Sequence, residues 1–359
     1  MQETTKYVKT LALKLLHRYD SHISSKVVLL RGLRAGEQPF DRGGTPKGFT
    51  GLHGAAFLGC VGITVALLGE NIRDMRATDF HGHTAVAWAA RRGHEGVVRV
   101  LLERSEVSPD TPDTKYGRTP LLWAAQNGHE GVVRMLLERN DVNPEKTDKW
   151  SITPLYGAVV YGHEGVVRML LERGSANHNT TDTGLGQTLF LRAIQSGHEG
   201  IVRIPLQRNH INLDQADEWG QTPLMCASKG GHEGIVRILL ERNDVDPDEA
   251  NKWGRTPLLQ AAANGHKGIT RVLLEGNDVR PDGADNWGQT SVPQAASNGR
   301  VGVVRMLLER NDAYPRKMDK CGRTPRSLAA QNGHQGVLGM MLKRKDANPG
   351  QPGKRIRRN

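Results

Sequence analysis

The sequence predicts an all-α solenoid of about nine helix-turn-helix units joined by hairpin loops. Three observations carry this. The dozen residues Gly128–Arg139, GHEGVVRMLLER, return nearly unchanged at Gly93, Gly162 and Gly231, with looser copies at Gly197, Gly265, Gly299 and Gly333. A threonine opens each unit at positions 50, 84, 119, 153, 188, 222, 256, 290 and 324, intervals of 34 or 35 residues. Within a unit the apolar residues fall at helical spacing. A period of this length marks an array whose units bury their faces against their neighbours.

Taken in order, residues 1–31 read as helical, with Val8, Leu11, Leu15 and Leu16 on one face and Lys and Arg on the other. They form either a cap on the first unit or the remnant of a larger upstream domain. The charged flanks and short apolar patch do not make a signal peptide. Residues 32–48 are a Gly-rich linker. Its Gly43 and Gly48 have the spacing of a phosphate-binding loop, but Phe49 stands where such a loop needs lysine.

The array occupies residues 49–349. In each unit the threonine is a helix N-cap, often followed by proline at the first helical position, as in Thr119-Pro120 and Thr222-Pro223. A short helix with small residues such as Ala124-Ala125 ends at the glycine of a Gly-His pair. A second helix follows, burying Val132, Val133, Leu136 and Leu137 and exposing Glu130, Arg134 and Glu138. Turn chemistry from Asn140 to Trp150 then leads to the next threonine. Two prolines interrupt the pattern. Pro205 lies deep in a second helix and predicts that 201–208 is kinked or frayed, making the array flex there. Pro293 sits at a third helical position, where N–H groups lack intrahelical partners in any case.

Charge and cysteine content narrow the function classes. Residues 1–49 hold nine Lys/Arg against four Asp/Glu, and residues 343–359 hold seven against one. The ends thus carry the whole net charge of +11, and the array between them is neutral. That argues against nucleic-acid binding by the array. Cys60, Cys226 and Cys321 lie far apart, which fits a reducing compartment and neither a disulfide framework nor a zinc site. No run of about 18 apolar residues marks a membrane span. An intracellular, cytoplasmic location is expected. The basic tail at 350–359, with Lys343–Lys345 before it, reads as a solvated terminus or as a nuclear-import or nucleic-acid contact.

The layout D-x-x-G-x-T-P-L-x-x-A-A-x-x-G-H-x-x-x-V-x-x-L-L, as in Asp217–Leu240, resembles the ankyrin repeat. The histidine that family carries after T-P-L is present only as His53; Leu122, Tyr156, Met225 and Leu259 fill the slot elsewhere. The unit-to-unit hydrogen bonding attributed to that histidine is therefore not expected in most units. The near-identical GHEGVVRMLLERNDVNP units, with the segment from Tyr7 to Phe49, are also similar to the ankyrin arm of fungal NACHT–ankyrin, NLR-like receptors. The nucleotide-binding motif of those receptors does not occur in this chain. The resemblance implies a non-catalytic protein-interaction module, with hairpin tips and first helices forming a concave partner-binding face.

The repeat histidines (His94, His129, His163, His198, His232, His266, His334) invite a metal reading. One per unit places them about 10 Å apart, too far to share an ion with bonds of about 2 Å. Nucleophile elbows, kinase signatures and dinucleotide fingerprints do not occur, so neither a cofactor, a small-molecule substrate nor enzyme activity is expected.

Variation among units is the stronger signal. The slot three before each threonine reads His81, Tyr116, Trp150, Leu185, Trp219, Trp253, Trp287 and Cys321, so four of the six tryptophans share one hairpin-tip position. Variable first-helix slots hold Trp88, Trp123 and Arg192, and Arg91-Arg92 and Tyr161. Candidate protein-binding residues are therefore Tyr116, Trp150, Trp219, Trp253, Trp287, Trp88, Trp123, Arg91, Arg92, Tyr161 and Arg192. The tryptophans either anchor a partner or pack on adjacent hairpins and stiffen the array. The second functional reading is a nuclear or nucleic-acid-associated adaptor working through the basic termini.

Overall fold

A computed structural model describes residues 49–70, 75–173, 189–206, 216–276, 279–309 and 317–343. These residues form eighteen α-helices in nine pairs, and no strand occurs among them. The pairs are α1 (Gly51–Leu58) with α2 (Val61–Glu70), α3 (Ala85–Arg92) with α4 (Glu95–Leu102), and α5 (Pro120–Gln126) with α6 (Glu130–Leu137). Next come α7 (Pro154–Tyr161) with α8 (Glu164–Arg173), and α9 (Leu189–Gln195) with α10 (Glu199–Leu206). Then follow α11 (Pro223–Gly230) with α12 (Glu233–Leu240), and α13 (Pro257–Asn264) with α14 (Lys267–Glu275). The last are α15 (Ser291–Ser297) with α16 (Val301–Glu309), and α17 (Pro325–Gln331) with α18 (Gln335–Lys343). The fold is an all-α repeat solenoid. The helical segment 1–31, the linker 32–48 and the basic tail 350–359 expected from sequence lie outside the described residues.

The caps follow the threonine pattern closely. Thr84, Thr119, Thr153, Thr222, Thr256 and Thr324 have extended backbone, and each side chain accepts the N–H three residues on. Thr290 makes no such bond. Its third helical residue is Pro293, which has no N–H to donate, so that proline removes the cap rather than being neutral. Each first helix ends with a left-handed glycine, such as Gly93 (φ 74°) and Gly162 (φ 81°), where a side chain would be strained.

Pro205, expected to kink or fray 201–208, lies within helix α10. Helix α10 runs unbroken through it to Leu206, as long as α6 and α12. Gln207 and Arg208 lie outside the described residues.

The chain divides into two compact blocks, Met1–Ile211 and Asn212–Asn359. In the first block the first helices α1, α3, α5, α7 and α9 stack in order, and so do the second helices α2, α4, α6, α8 and α10. In the second block α11, α13, α15 and α17 form one row and α12, α14, α16 and α18 the other. The core between the rows is Ala and branched aliphatics: Ala124, Ala125, Val132, Val133 and Leu136 are wholly buried, with Leu137 nearly so. The T-P-L-x slot is core as well where it holds Leu122, Met225 or Leu259.

A Gly-His lock joins successive repeats. His94 Nε2 lies 3.0 Å from the Phe57 carbonyl, His129 Nε2 3.1 Å from that of Arg91, and His163 Nε2 3.0 Å from that of Gln126. His198 does the same to Val160 in the first block, as do His266 to Lys229 and His334 to Ser297 in the second. A carbonyl only accepts, so each Nε2 carries the proton. The ring of each histidine lies against the capping glycine of the repeat before it. A Cβ on Gly93 would fall 2.5 Å from His129 Nδ1, and one on Gly162 2.6 Å from His198 Cε1. Glycine is thus required there twice over, by φ and by space. Inter-repeat hydrogen bonding, not expected from the scarcity of T-P-L-H histidines, is supplied by this other histidine. His53 adds a further bond. It accepts from Thr50 N–H through Nδ1 and donates through Nε2 to the His83 carbonyl, 3.0 Å away.

On the solvent side, i, i+4 ion pairs form at Glu164–Arg168, Glu199–Arg203 and Glu233–Arg237, at 2.7–3.1 Å. They are half-exposed, so each contributes only about 0.3–0.5 kcal/mol.

Candidate functional site

The hairpins are built on a buried acidic residue. Asp148 Oδ1 accepts the N–H groups of Trp150 (2.9 Å) and Ile152 (3.0 Å). Asp217 does so for Trp219 and Gln221, Asp285 for Trp287 and Gln289, and Asp319 for Cys321 and Arg323. In the hairpin between them Asn251 plays the part, holding Trp253 and Arg255. These bonds satisfy loop donors that no helix could pair and force the residue two positions on to the tip. A positive-φ glycine completes the turn, for example Gly220 (φ 72°) and Gly254 (φ 74°). At the Trp150 tip the glycine is replaced by Ser151, the one described non-glycine residue with positive φ, at 62°.

Consecutive tips are joined by main chain. In the first block Lys149 N–H donates to the Tyr116 carbonyl at 2.9 Å. In the second, Lys252 N–H donates to Trp219 (3.2 Å), Asn286 to Trp253 (2.9 Å) and Lys320 to Trp287 (2.9 Å). The aromatic side chains take no part in these bonds and project from the row.

In the second block they converge. Trp219, Trp253 and Trp287 are 38, 39 and 48 % exposed, and all three line one groove of about 510 Å³. Its other walls are Gln221 and Arg255 from the hairpins and Lys229 and Gln260 from the first helices α11 and α13. The Arg255 guanidinium lies over the Trp287 ring, 5.4 Å from its centroid, a cation–π arrangement. It stands 3.8 Å from the Asp285 carboxylate, beyond hydrogen-bond reach.

The first block presents a different arrangement. Tyr116 and Trp150 lie 5.7 Å apart with tilted rings, and Arg118 Cζ sits 5.2 and 5.7 Å from their centroids. Arg118 also bonds Asp148 at 3.1 Å. Trp150 remains 56 % exposed and Tyr161 equally so. Here the tip aromatics pack on one another and still face solvent.

Trp88 and Trp123 are placed otherwise than a contact role needs. They are 3 and 5 % exposed. Trp88 Nε1 donates to Asp79 Oδ2 at 3.0 Å and Trp123 Nε1 to Asp113 Oδ2 at 3.1 Å. Both indoles thus fill the space between first helix and hairpin, a packing role. Arg91 covers them, its Cζ 4.5 Å from the Trp123 centroid and 5.5 Å from that of Trp88, while Arg92 lies 4.3 Å from Phe57. Arg192 reaches the Tyr156 ring at 6.0 Å. The hairpin position of Leu185 lies outside the described residues. Sequence reasoning missed Arg255 and Gln221 as groove residues. The signal was present in the position just before each threonine, which reads Phe49, His83, Arg118, Ile152, Gln187, Gln221, Arg255, Gln289 and Arg323.

Electrostatics at the first-block tips follow from burial. Burial pushes the His81 imidazole below its ordinary pKa, with Lys115 adding to the effect. Burial alone would raise the Asp79 carboxyl, but the side-chain and backbone hydrogen bonds from His83, its charge and the Trp88 N–H outweigh this and hold it below the ordinary value.

A family model of ankyrin repeats, three copies long, matches overlapping stretches at residues 52–148, 105–182, 155–250, 190–282 and 234–319. Together these span most of the array. The chain belongs to the ankyrin-repeat family. No curated protein matches it. Ankyrin repeats are generally protein-protein interaction modules and typically scaffolds without enzyme activity, which suits an open groove of aromatic and cationic side chains. Among the described residues of this ankyrin array, no helix is long and apolar enough to cross a membrane.

Proposed function

We propose that the chain is a non-catalytic ankyrin scaffold that binds a protein partner through its hairpin tips and the adjoining first-helix residues. The observation that carries this is the groove of the second block, where three half-exposed tryptophans from successive repeats share a wall with Lys229 and Arg255. Tryptophan and arginine dominate interface energetics, and large side chains held by bonded backbone lose little freedom on binding. Tyr116, Trp150 and Tyr161, with Arg91, Arg92 and Arg192, are the corresponding candidates in the first block. Trp88 and Trp123 support them from below. The concave face of the family is the face this reading assigns to the partner.

The near-identity of the GHEGVVRMLLER segments beside the varied tips supports a finer reading, that of the recognition arm of an NLR-like system. The three cysteines, none disulfide-bonded, fit an intracellular setting. The test is capture from source extract with the wild-type chain and with Trp219, Trp253 and Trp287 all changed to Ala. Proteins retained by the wild type and lost by the variant support the reading; equal capture refutes it.

A further inference from the structure

The first block carries its positive charge on one side. In the second helices α4, α6, α8 and α10, arginine and glutamate occur in equal number. The hairpin tips and first helices differ. Segments 79–92, 113–126, 148–161 and 189–195 hold Arg91, Arg92, Lys115, Arg118, Lys149 and Arg192, and their only carboxylates are Asp79, Asp113 and Asp148. The side chains of those aspartates are wholly buried. Each accepts hairpin N–H groups, and Asp79 and Asp113 also accept the Trp88 and Trp123 indoles. Of the acids on the arms leading to these tips, Asp110 is paired with Lys146 and Glu145 stands three residues before Asp148. The neutrality of the array is thus an average over two unlike faces.

The cations are gathered into one cluster. Arg91 from α3 and Arg118 from the next hairpin lie 4.5 and 4.8 Å from the same Trp123 centroid. Arg118 also reaches the Tyr116 and Trp150 rings, and Lys115 Nζ stands 4.9 Å from that of Tyr116. Beside them the Lys149 ammonium donates to the Thr114 and Lys115 carbonyls. Arg118 bonds Asp148 through Nε alone, which leaves its terminal nitrogens for an outside acceptor.

The way the rings hold the cations selects the occupant. A nucleic-acid base needs an open ring face on which to stack. Trp123 is buried beneath Arg91 and Arg118, and Tyr116 is flanked by Lys115, Arg118 and Trp150. These rings orient cations. Guanidinium groups suit carboxylates, which they meet in two-point contacts. Trp150, 56 % exposed, adds apolar area beside the charge.

We propose that this face of the first block takes an acidic protein segment, its Asp or Glu carboxylates meeting Arg91, Lys115 and Arg118 and an apolar side chain covering Trp150. This rests on the hairpin tips and first helices being the partner surface, and adds the charge and composition of the partner.

Fluorescein-labelled peptides test it by anisotropy against the full chain. One peptide repeats Glu-Glu-Phe four times, and the second has Gln for every Glu. The Glu peptide is expected to bind at least about tenfold tighter than the Gln peptide, and the preference should shrink as salt rises. Changing Arg91 and Lys115 together to Glu should weaken it by about tenfold or more. Changing Arg99 and Arg134 to Glu makes the same change of charge on α4 and α6, and should alter binding by less than about twofold. The basic stretches 1–49 and 343–359 are present in both variants, so the difference between them reads the face and not the ends. Unaltered circular dichroism shows that each variant is folded. Equal weakening by the two pairs overturns the proposal. So does failure of the Glu peptide to bind, equal binding of the two peptides, or displacement by a dT12 oligonucleotide that binds more tightly. If extract capture depends on Trp219, Trp253 and Trp287 while the Glu peptide fails, only this inference falls. If capture is independent of them and the peptide results hold, the second-block groove is not the site and the first-block face is.

Discussion

Replacing Gly93 by alanine probes the lock between repeats. The residue adopts φ 74°, where a Cβ costs about 1–2 kcal/mol. The new methyl would also lie 2.5 Å from His129 Nδ1 and 2.8 Å from Cε1, so the ring must move. Displacing it breaks the 3.1 Å bond to the Arg91 carbonyl, a loss of about 1 kcal/mol. The expected total is about 2–3 kcal/mol. His129→Ala alone should cost about 1–2 kcal/mol by the same bond and the lost contact. In the double variant the clash is gone, so its destabilisation should fall short of the sum by about 1 kcal/mol. Urea unfolding followed by the fluorescence of Trp88 and Trp123, both in the same block, reads all three corners. A Gly93→Ala effect below about 0.5 kcal/mol, or strict additivity, would refute the lock.

Ser151→Gly should stabilise the first block by about 0.5–1 kcal/mol, because it relieves positive φ at Ser151 while adding back only the entropy of glycine; a lowered melting temperature contradicts this. Pro205→Leu should raise stability by up to about 3 kcal/mol by restoring the donor to the Ile201 carbonyl. In the native chain, amide exchange within α10 is correspondingly expected to be faster than in α6, and equal protection of the two helices argues against it. His129 is pushed below its ordinary pKa of 6.5 by burial and by its neighbours His163 and His94. The unfolded chain therefore takes up the proton first. Stability contributed by His129, and by His81, is full above about pH 6.5 and falls as the pH drops toward the folded value. Asp79, whose folded pKa is depressed, adds a second loss below its ordinary 3.8. Urea midpoints that stay constant from pH 7.5 to 5 would remove the histidine step.

What was legible in the sequence is what is local. A threonine, a proline and a glycine at fixed offsets define caps whatever lies beyond them, and Val132, Val133 and Leu136 announce a buried face by spacing alone. The family pattern added the hairpins. Long-range partners were not legible. Trp123 and Trp150 are the same residue type in two variable slots, yet one is sealed by the Asp113 carboxylate and the other stands in solvent. Only the path of the hairpin decides between them. Arg255 and Lys229 come from different repeats, and nothing in either segment states that they share a wall with Trp219. The histidine lock was overlooked for a related reason. Its acceptor is a backbone carbonyl some 37 residues away, and a carbonyl leaves no mark on composition. Pro293, by contrast, was misjudged locally, since the bond it abolishes belongs to the cap and not to the helix.

Among the described hairpins, the main-chain bonds between consecutive tips use the carbonyl of the tip residue and not its side chain. Any amino acid has that carbonyl. Tyrosine, tryptophan and cysteine already occupy equivalent tips at positions 116, 253 and 321 within one chain. The frame therefore places almost no demand on what stands at a tip, and a change there alters what the surface meets without altering how the repeats hold together. Recognition can drift one rung at a time, and tips exchanged between repeats should carry their contacts with them.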